Sequence, residues 1–271
     1  MNKSISPVLT VLQAVSFLFI SSFCSASDLQ REKRLADEII DSIIDGDAIY
    51  LKTDNHSFLS IFTEAEEPTG DQKNHAVIVL HGRGQHPDWP ETTNPLRVGL
   101  ASKGFTTLSI QMPVLPTIAS YEDYAEIMHE GGPRIEAGLD YLEQRGYEHI
   151  HIVAHSCSTQ MVSRWIANGG GHDVSSYAFL GLVTENYLEA FGSLPPLQDI
   201  PQPVLDIYGE WDSVKYHAPA RLLTIELGAN PHSRQQMISR ADHMFRGRGE
   251  VLTNEVFKWL NHLTDIKSTE N

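Results

Sequence analysis

From residue 76 onward the chain alternates short apolar runs with segments of helical spacing, and this alternation constrains the fold most strongly. The apolar runs cover 76–80, 105–110, 149–154, 177–182 and 204–208. Between two of them, Ile135, Leu139 and Leu142 lie on one face of a predicted helix over 133–145. Continuously apolar strands joined by helices form mostly parallel sheets. We therefore predict an α/β fold with helices on both faces of the sheet.

The flanking segments extend this pattern into a single domain over 27–271. Apolar residues at helical spacing predict an amphipathic helix over 28–46, and another over 251–263. The runs 48–51 and 58–62 flank a polar turn and predict an N-terminal antiparallel hairpin. Only about fifteen to twenty residues separate the strand ending near Leu182 from the one beginning near Val204, so we expect no large cap domain.

The first 26 residues have the pattern of a signal peptide. Lys3 precedes an apolar stretch over 8–23, and small residues follow at 24–26. We predict cleavage after Ala26, export to the periplasm or secretion, and no stable membrane span afterwards. A retained anchor and a lipidated Cys24 are the alternatives, and bulky Phe23 disfavours the second. Cleavage would leave Cys157 as the sole cysteine, without an internal disulfide.

The overall charge argues against nucleic-acid partners. The formal net charge is −15, whereas phosphate-backbone binding needs clustered Lys and Arg. We therefore expect no nucleic-acid partner, and the residues described below predict a small-molecule substrate.

Ser156 is the candidate nucleophile. It follows the apolar run 149–154 and is flanked two positions away by the small residues Ala154 and Ser158. Small neighbours allow a tight strand-to-helix turn that presents the serine hydroxyl. The alternative role is an N-cap serine at the start of the helix.

The run 81–84, His-Gly-Arg-Gly, follows the first parallel strand. Glycines let the backbone approach a substrate oxygen, so we predict an oxyanion hole formed by the backbone N–H groups of Arg83 and Cys157. A simple glycine turn is the alternative.

Asp212 and His243 supply the carboxylate and the base that a serine nucleophile needs. Asp212 follows the strand 204–208 and Gly209, and His243 follows a strand-like run beginning at Met237. Glu185, after the strand 177–182, is the alternative acid. We interpret Asp242 as a loop-stabilising or solvated residue.

The histidines do not predict a metal site. His149 and His151 lie inside a central strand with His155 near its end, and alternation buries the first two against a helix. We predict no metal and no cofactor.

Taken together, these runs resemble the α/β-hydrolase superfamily across the region after residue 26. The runs 81–84, 154–158, 208–212 and 241–245 are similar to its oxyanion loop, nucleophile elbow, acid turn and histidine loop, in the expected order Ser, Asp, His. The segments 87–90 and 109–113 also resemble a group of uncharacterised exported bacterial proteins, and dienelactone-hydrolase-like enzymes are more distant. Ala154 and Ser158 stand where the family usually has glycine.

The resulting hypothesis is an exported serine hydrolase that cleaves an ester or related acyl bond through an acyl-enzyme intermediate. Thioesterase, peptidase and acyltransferase activities would use the same residues and stay open. The alternative from another class is a catalytically weak envelope protein that keeps the fold and binds a peptide, glycan or protein partner.

Overall fold

The structure is a computed structural model that describes residues 26–182, 197–228 and 230–270. Within these ranges an eight-stranded sheet has the order β1-β2-β4-β3-β5-β6-β7-β8. The strands are β1 (Asp47–Lys52), β2 (Ser57–Thr63), β3 (His75–Leu80), β4 (Thr106–Ile110), β5 (His149–His155), β6 (Val174–Leu180), β7 (Val204–Gly209) and β8 (Arg234–Ile238). β2 runs antiparallel to β1 and β4, and β3 to β8 are parallel. The predicted hairpin and parallel sheet are confirmed.

Helices cover both faces of this sheet, as predicted. They are α1 (Leu29–Ile39), α2 (Thr93–Ala101), α3 (Gly131–Glu143), α4 (Cys157–Ala167), α5 (Ala218–Leu227) and α6 (Gly249–Glu270). Short 3-10 segments cover Ile40–Ser42, Gly70–Asn74, Glu122–Glu130, Leu197–Asp199 and Ser213–His217. In the described part of the chain, no helix has both the length and the apolarity needed to cross a bilayer.

Strand alternation divides the interior into two cores. Ile78 and Leu80 of β3 belong to the core that includes apolar residues of α3 and α4. Val77 and Val79 belong to the other core, which includes residues of α2 and α6. This division follows from the two-residue period of a strand, which directs neighbouring side chains to opposite faces.

The first helix is shorter than predicted. We expected it to extend to residue 46, but α1 ends at Ile39 and a 3-10 turn follows. The Ser42 hydroxyl donates a hydrogen bond to the Ile39 carbonyl and satisfies one of the carbonyls left unpaired at the helix end. The apolar spacing continued past this point, but Ile44 is exposed.

A buried ion pair connects α1 to α3. The Arg134 guanidinium donates to both oxygens of Glu32, at 2.8 and 2.9 Å, and both side chains are buried. The same guanidinium donates to the Gln111 carbonyl after β4. Helix α1 is therefore fixed to α3 and to the carboxyl end of β4.

Replacing Arg134 by methionine would leave the Glu32 carboxylate buried without its cation. We expect this substitution to lower the free energy of unfolding by about 3–5 kcal/mol in urea denaturation. The control is Lys33→Met on α1, next to Glu32, which removes an exposed pair with Asp37 and should have little effect. Equal losses of unfolding free energy in the two variants would contradict a stabilising role for the buried Glu32–Arg134 pair.

Candidate active site

The predicted site residues meet at the carboxyl ends of the parallel strands. Ser156 directly follows β5, and Asp212 comes three residues after β7. His243 lies in the loop between β8 and α6, and the segment 81–84 follows β3. Carboxyl ends of parallel strands share one edge of the sheet, which is why residues far apart in sequence converge here.

Ser156 occupies an unusual backbone conformation. Its φ is +52° and its ψ is −117°, and its N–H donates to the Leu180 carbonyl of β6 at 2.8 Å. A non-glycine residue in such a conformation costs about 1–3 kcal/mol and persists only where its surroundings hold it. Ser156 precedes α4, but its hydroxyl does not cap that helix. The N-cap alternative for this side chain is therefore wrong.

The Ser156 hydroxyl instead contacts a histidine. Its Oγ lies 2.7 Å from Nε2 of His243, whose Nδ1 lies 2.7 Å from Oδ2 of Asp212. An ionised carboxylate only accepts hydrogen bonds, so the proton on His243 lies on Nδ1 and Nε2 accepts from the serine hydroxyl. Asp212 is buried, and its other oxygen accepts from the Val214 N–H at 3.2 Å.

The loop predicted to bind an oxyanion carries an unused donor. Among the described residues, the backbone N–H groups of Arg83 and Cys157 have no hydrogen-bond acceptor. The Gly82 N–H, in contrast, donates to Oε1 of Gln85 at 2.7 Å. Arg31 of α1 holds the same loop by donating to the Gly84 carbonyl at 3.1 Å. These contacts leave the two predicted donors available.

The two residues that replace the usual glycines fit the elbow. Ala154 is fully buried in β5, between Leu80 and Phe179 of the neighbouring strands. Ser158 is buried as well, and its hydroxyl donates to the His81 carbonyl. The serine thus connects α4 to the oxyanion loop, a contact that glycine cannot make.

His155 lies between the oxyanion loop and the loop of His243. Its Nε2–H donates to the His243 carbonyl at 2.9 Å, so its Nδ1 carries no proton. A Cβ atom at Gly82 would lie 2.8 Å from that Nδ1, which explains the glycine. Burial, and then the charge of His243, lower the pKa of His155 from 6.5 to about 4. The sequence singled out this residue only as a metal-ligand candidate.

His81 is a second buried, neutral histidine beside the site. Its Nδ1–H donates to the Gly82 carbonyl at 2.7 Å, and its Nε2 accepts from the Met112 N–H at 2.9 Å. Burial lowers its pKa from 6.5 to about 3.

Three further residues singled out by the sequence are Cys157, Asp242 and Glu185. Cys157 is buried, and burial raises the pKa of its thiol to about 12. Asp242 accepts from the backbone N–H groups of Met244 and Arg246, as expected of a loop-stabilising residue. Glu185 lies outside the described residues.

The central-strand histidines lie away from this edge of the sheet. His149 begins β5, and buried His151 contacts His75 and Ser176 through its ring nitrogens. Across the described ranges, no group of three His, Cys, Asp or Glu side chains could hold a metal ion.

A cavity of about 580 Å³ contains Ser156 and His243. Tyr121, Trp211 and Arg83 are among the residues that line it. A larger groove of about 920 Å³ lies between β1 and the helices α3 and α4, and none of the predicted catalytic residues lines it. The smaller cavity is the candidate site because Ser156 and His243, which are in hydrogen-bond contact, both line it.

Comparison with solved structures identifies the architecture. A lidless α/β serine hydrolase from Xanthomonas campestris matches with a TM-score of 0.63 at 15% identity, covering 81% of this chain and 95% of its own. Est1E from Butyrivibrio proteoclasticus matches with a TM-score of 0.59 at 17% identity, covering 80% and 98%. The chain has the α/β-hydrolase fold. Carboxylesterase CesB from Bacillus subtilis shares the α/β-hydrolase fold with a TM-score of 0.56 at 14% identity, covering 86% and 97%.

Sequence comparison adds a family without an assigned activity. Residues 25–130 match the model of a family described as a protein of unknown function, DUF3530. No curated protein matches the chain significantly in sequence.

The two neutral histidines predict an acid-sensitive fold. Below pH 6.5 the unfolded chain protonates His81 and His155, whereas the folded protein resists protonation until about pH 3 and pH 4. Stability should therefore be highest above pH 6.5 and fall with pH, each histidine contributing up to about 1.4 kcal/mol per pH unit.

Urea denaturation at pH 7, 6 and 5 measures this effect. His81→Gln removes one of the two protons taken up on unfolding, so it should reduce the slope of the unfolding free energy against pH by up to about 1.4 kcal/mol per pH unit. An unfolding free energy that stays constant between pH 7 and 5 would contradict the prediction.

Proposed function

We propose that this protein is a serine hydrolase that cleaves an ester or a related acyl bond. The observation that carries the proposal is the 2.7 Å contact between Ser156 Oγ and His243 Nε2, at a strained turn beside the cavity. A serine hydroxyl becomes a useful nucleophile when an adjacent base takes its proton. Asp212 orients that base and stabilises its charged form.

The reaction would proceed in two stages. His243 Nε2 takes the proton as Ser156 Oγ attacks the acyl carbon, and the Arg83 and Cys157 N–H groups stabilise the negative oxygen. His243 then gives the proton to the leaving alcohol, which leaves the acyl group on Ser156. Water, activated by the same histidine, releases the acid and restores the serine.

The cavity has a mixed lining that suits a substrate with both an apolar and a polar part. Tyr121, Trp211 and Val214 line it beside the charged residues Arg83 and Arg246, and its apolar surface can bind a hydrophobic group. Two structurally similar proteins support the ester class: one is described as a carboxylesterase, and Est1E has been solved with ferulic acid bound.

We also propose that the enzyme acts outside the cytoplasm. This rests on the signal-peptide pattern of residues 1–26. Export can be measured by fractionating cells that express the full chain, and retention in the cytoplasm would contradict it.

Ser156→Ala should reduce kcat on 4-nitrophenyl esters by a factor on the order of 10⁶, because it removes the nucleophile. Ser163→Ala is the matched control, because Ser163 lies buried in α4 and its hydroxyl donates to the Thr159 carbonyl of the same helix. We expect the control to retain wild-type activity. Equal activity of Ser156→Ala and wild type, or a folded wild type that hydrolyses no acyl substrate, would contradict the proposal and favour a binding role.

The hydroxyl of Ser158 gives a finer test. Removing its hydrogen bond to the His81 carbonyl should loosen the oxyanion loop and lower kcat about five- to tenfold, consistent with about 1 kcal/mol for one hydrogen bond. Ser158→Ala and Ser158→Gly should lose similar activity, with KM nearly constant. A more active glycine variant would show that the serine impairs the elbow.

A further inference from the structure

Ser27 is the first residue of the described chain that is held by the fold. It is buried, whereas Ala26 is exposed. Its backbone N–H donates to Oε1 of Glu130 at 3.0 Å, and its hydroxyl accepts from Arg134 at 3.4 Å. The next residue, Asp28, donates its N–H to the Val114 carbonyl at 2.7 Å. The chain is therefore anchored from Ser27 onward.

The charges around Ser27 do not balance. Glu32 and Glu130 supply two negative charges, and the Arg134 guanidinium supplies one positive charge that is paired with Glu32. Among the described residues Glu130 has no ion-pair partner, and the Ser27 N–H is its hydrogen-bond donor. Asp28, the next residue, has the Arg34 guanidinium 4.0 Å from its carboxylate. Burial lowers the pKa of nearby His56, so its ring stays neutral at pH 7. A half-buried carboxylate thus faces a backbone nitrogen without a cation of its own.

We propose that cleavage of the Ala26–Ser27 bond creates the missing cation, and that Glu130 is the binding site for the new amino terminus. Water adds across the peptide bond, with Ala26 keeping the carboxylate and the Ser27 nitrogen taking protons to become an ammonium. The enzyme class is a signal peptidase, which cuts after small residues such as Cys24 and Ala26. The Ser27 nitrogen then changes from a neutral donor into an ion-pair partner of Glu130.

The proposal requires that the Ser27 amine is charged and that cleavage comes before folding is complete. An α-amino group has an ordinary pKa of about 7.7–8.0, so it is largely charged at neutral pH, and an adjacent carboxylate favours that charge. Ser27 is buried once the protein folds, so the bond is cut before folding is complete. The ion pair then forms as the chain closes around Ser27.

The ion pair also fixes the helix that supports the catalytic loop. Asp28 accepts from the Arg31 N–H at the start of α1, and the Arg31 side chain donates to the Gly84 and Leu115 carbonyls. The amino terminus therefore lies a few residues from a side chain that holds the oxyanion loop. This inference depends on the predicted signal peptide and does not depend on the proposed hydrolase activity.

The first measurement is the mass of the protein recovered after expression of the full chain in an exporting bacterial host. We expect an amino terminus at Ser27. A retained leader, or a terminus at any other residue, would overturn the proposal.

The second measurement tests the ion pair itself. One version of the protein begins at Ser27, and the other carries Gly-Ser-Gly before Ala26, each made with Glu130 and with Glu130→Gln. At pH 7 the Ser27 version should melt about 2–4 °C higher than the extended version. The difference should disappear with Glu130→Gln, and also above about pH 10, where the amine is neutral.

Glu126→Gln is the matched control, because Glu126 is exposed on the same 3-10 segment. It should leave the melting difference unchanged. Equal melting of the two versions, or a difference that persists with Glu130→Gln, would overturn the ion pair.

Discussion

The backbone turn at Ser156 is the constraint on which the site depends. A positive φ ends β5 and begins α4 within one residue, which directs neighbouring side chains into different loops. His155 contacts the loop of His243, Ser156 contacts the His243 ring, and Ser158 contacts the oxyanion loop. The cost of the strained conformation is offset by these contacts and by the hydrogen bond from Ser156 to β6.

Two buried, neutral histidines lie beside the site. His81 and His155 are both shielded from water, and burial keeps both uncharged near neutral pH. The third histidine, His243, contacts the Ser156 hydroxyl through Nε2 and the Asp212 carboxylate through Nδ1. A charged His155 would repel the imidazolium that the proposed acyl transfer would form on His243, because the two ring centres are 5.4 Å apart.

The sequence predicted the parts of the fold that follow from local patterns. Alternating apolar runs located the parallel strands, and the residues just after them, Ser156 and Asp212, necessarily lie at one edge of the sheet. His243 was predictable for the same reason. The end of α1 was not, because apolar spacing continues to Ile44 although hydrogen bonding stops near Ile39.

Long-range polar contacts could not be derived from spacing. Ser158 and His81 are 77 residues apart, and Arg31 and Gly84 are 53 apart. The donors, Ser158 and Arg31, could each pair with many acceptors until the fold brings one acceptor within reach. This is why the sequence raised Ser158 as a departure from glycine, whereas the structure gives it a hydrogen bond.

In the proposed reaction His243 activates Ser156. The most direct test is to treat the folded protein with a fluorophosphonate and to locate the adduct by mass spectrometry of its peptides. We expect one adduct, on Ser156, that is lost in His243→Ala. No adduct on the folded protein, or an adduct on another residue, would contradict it.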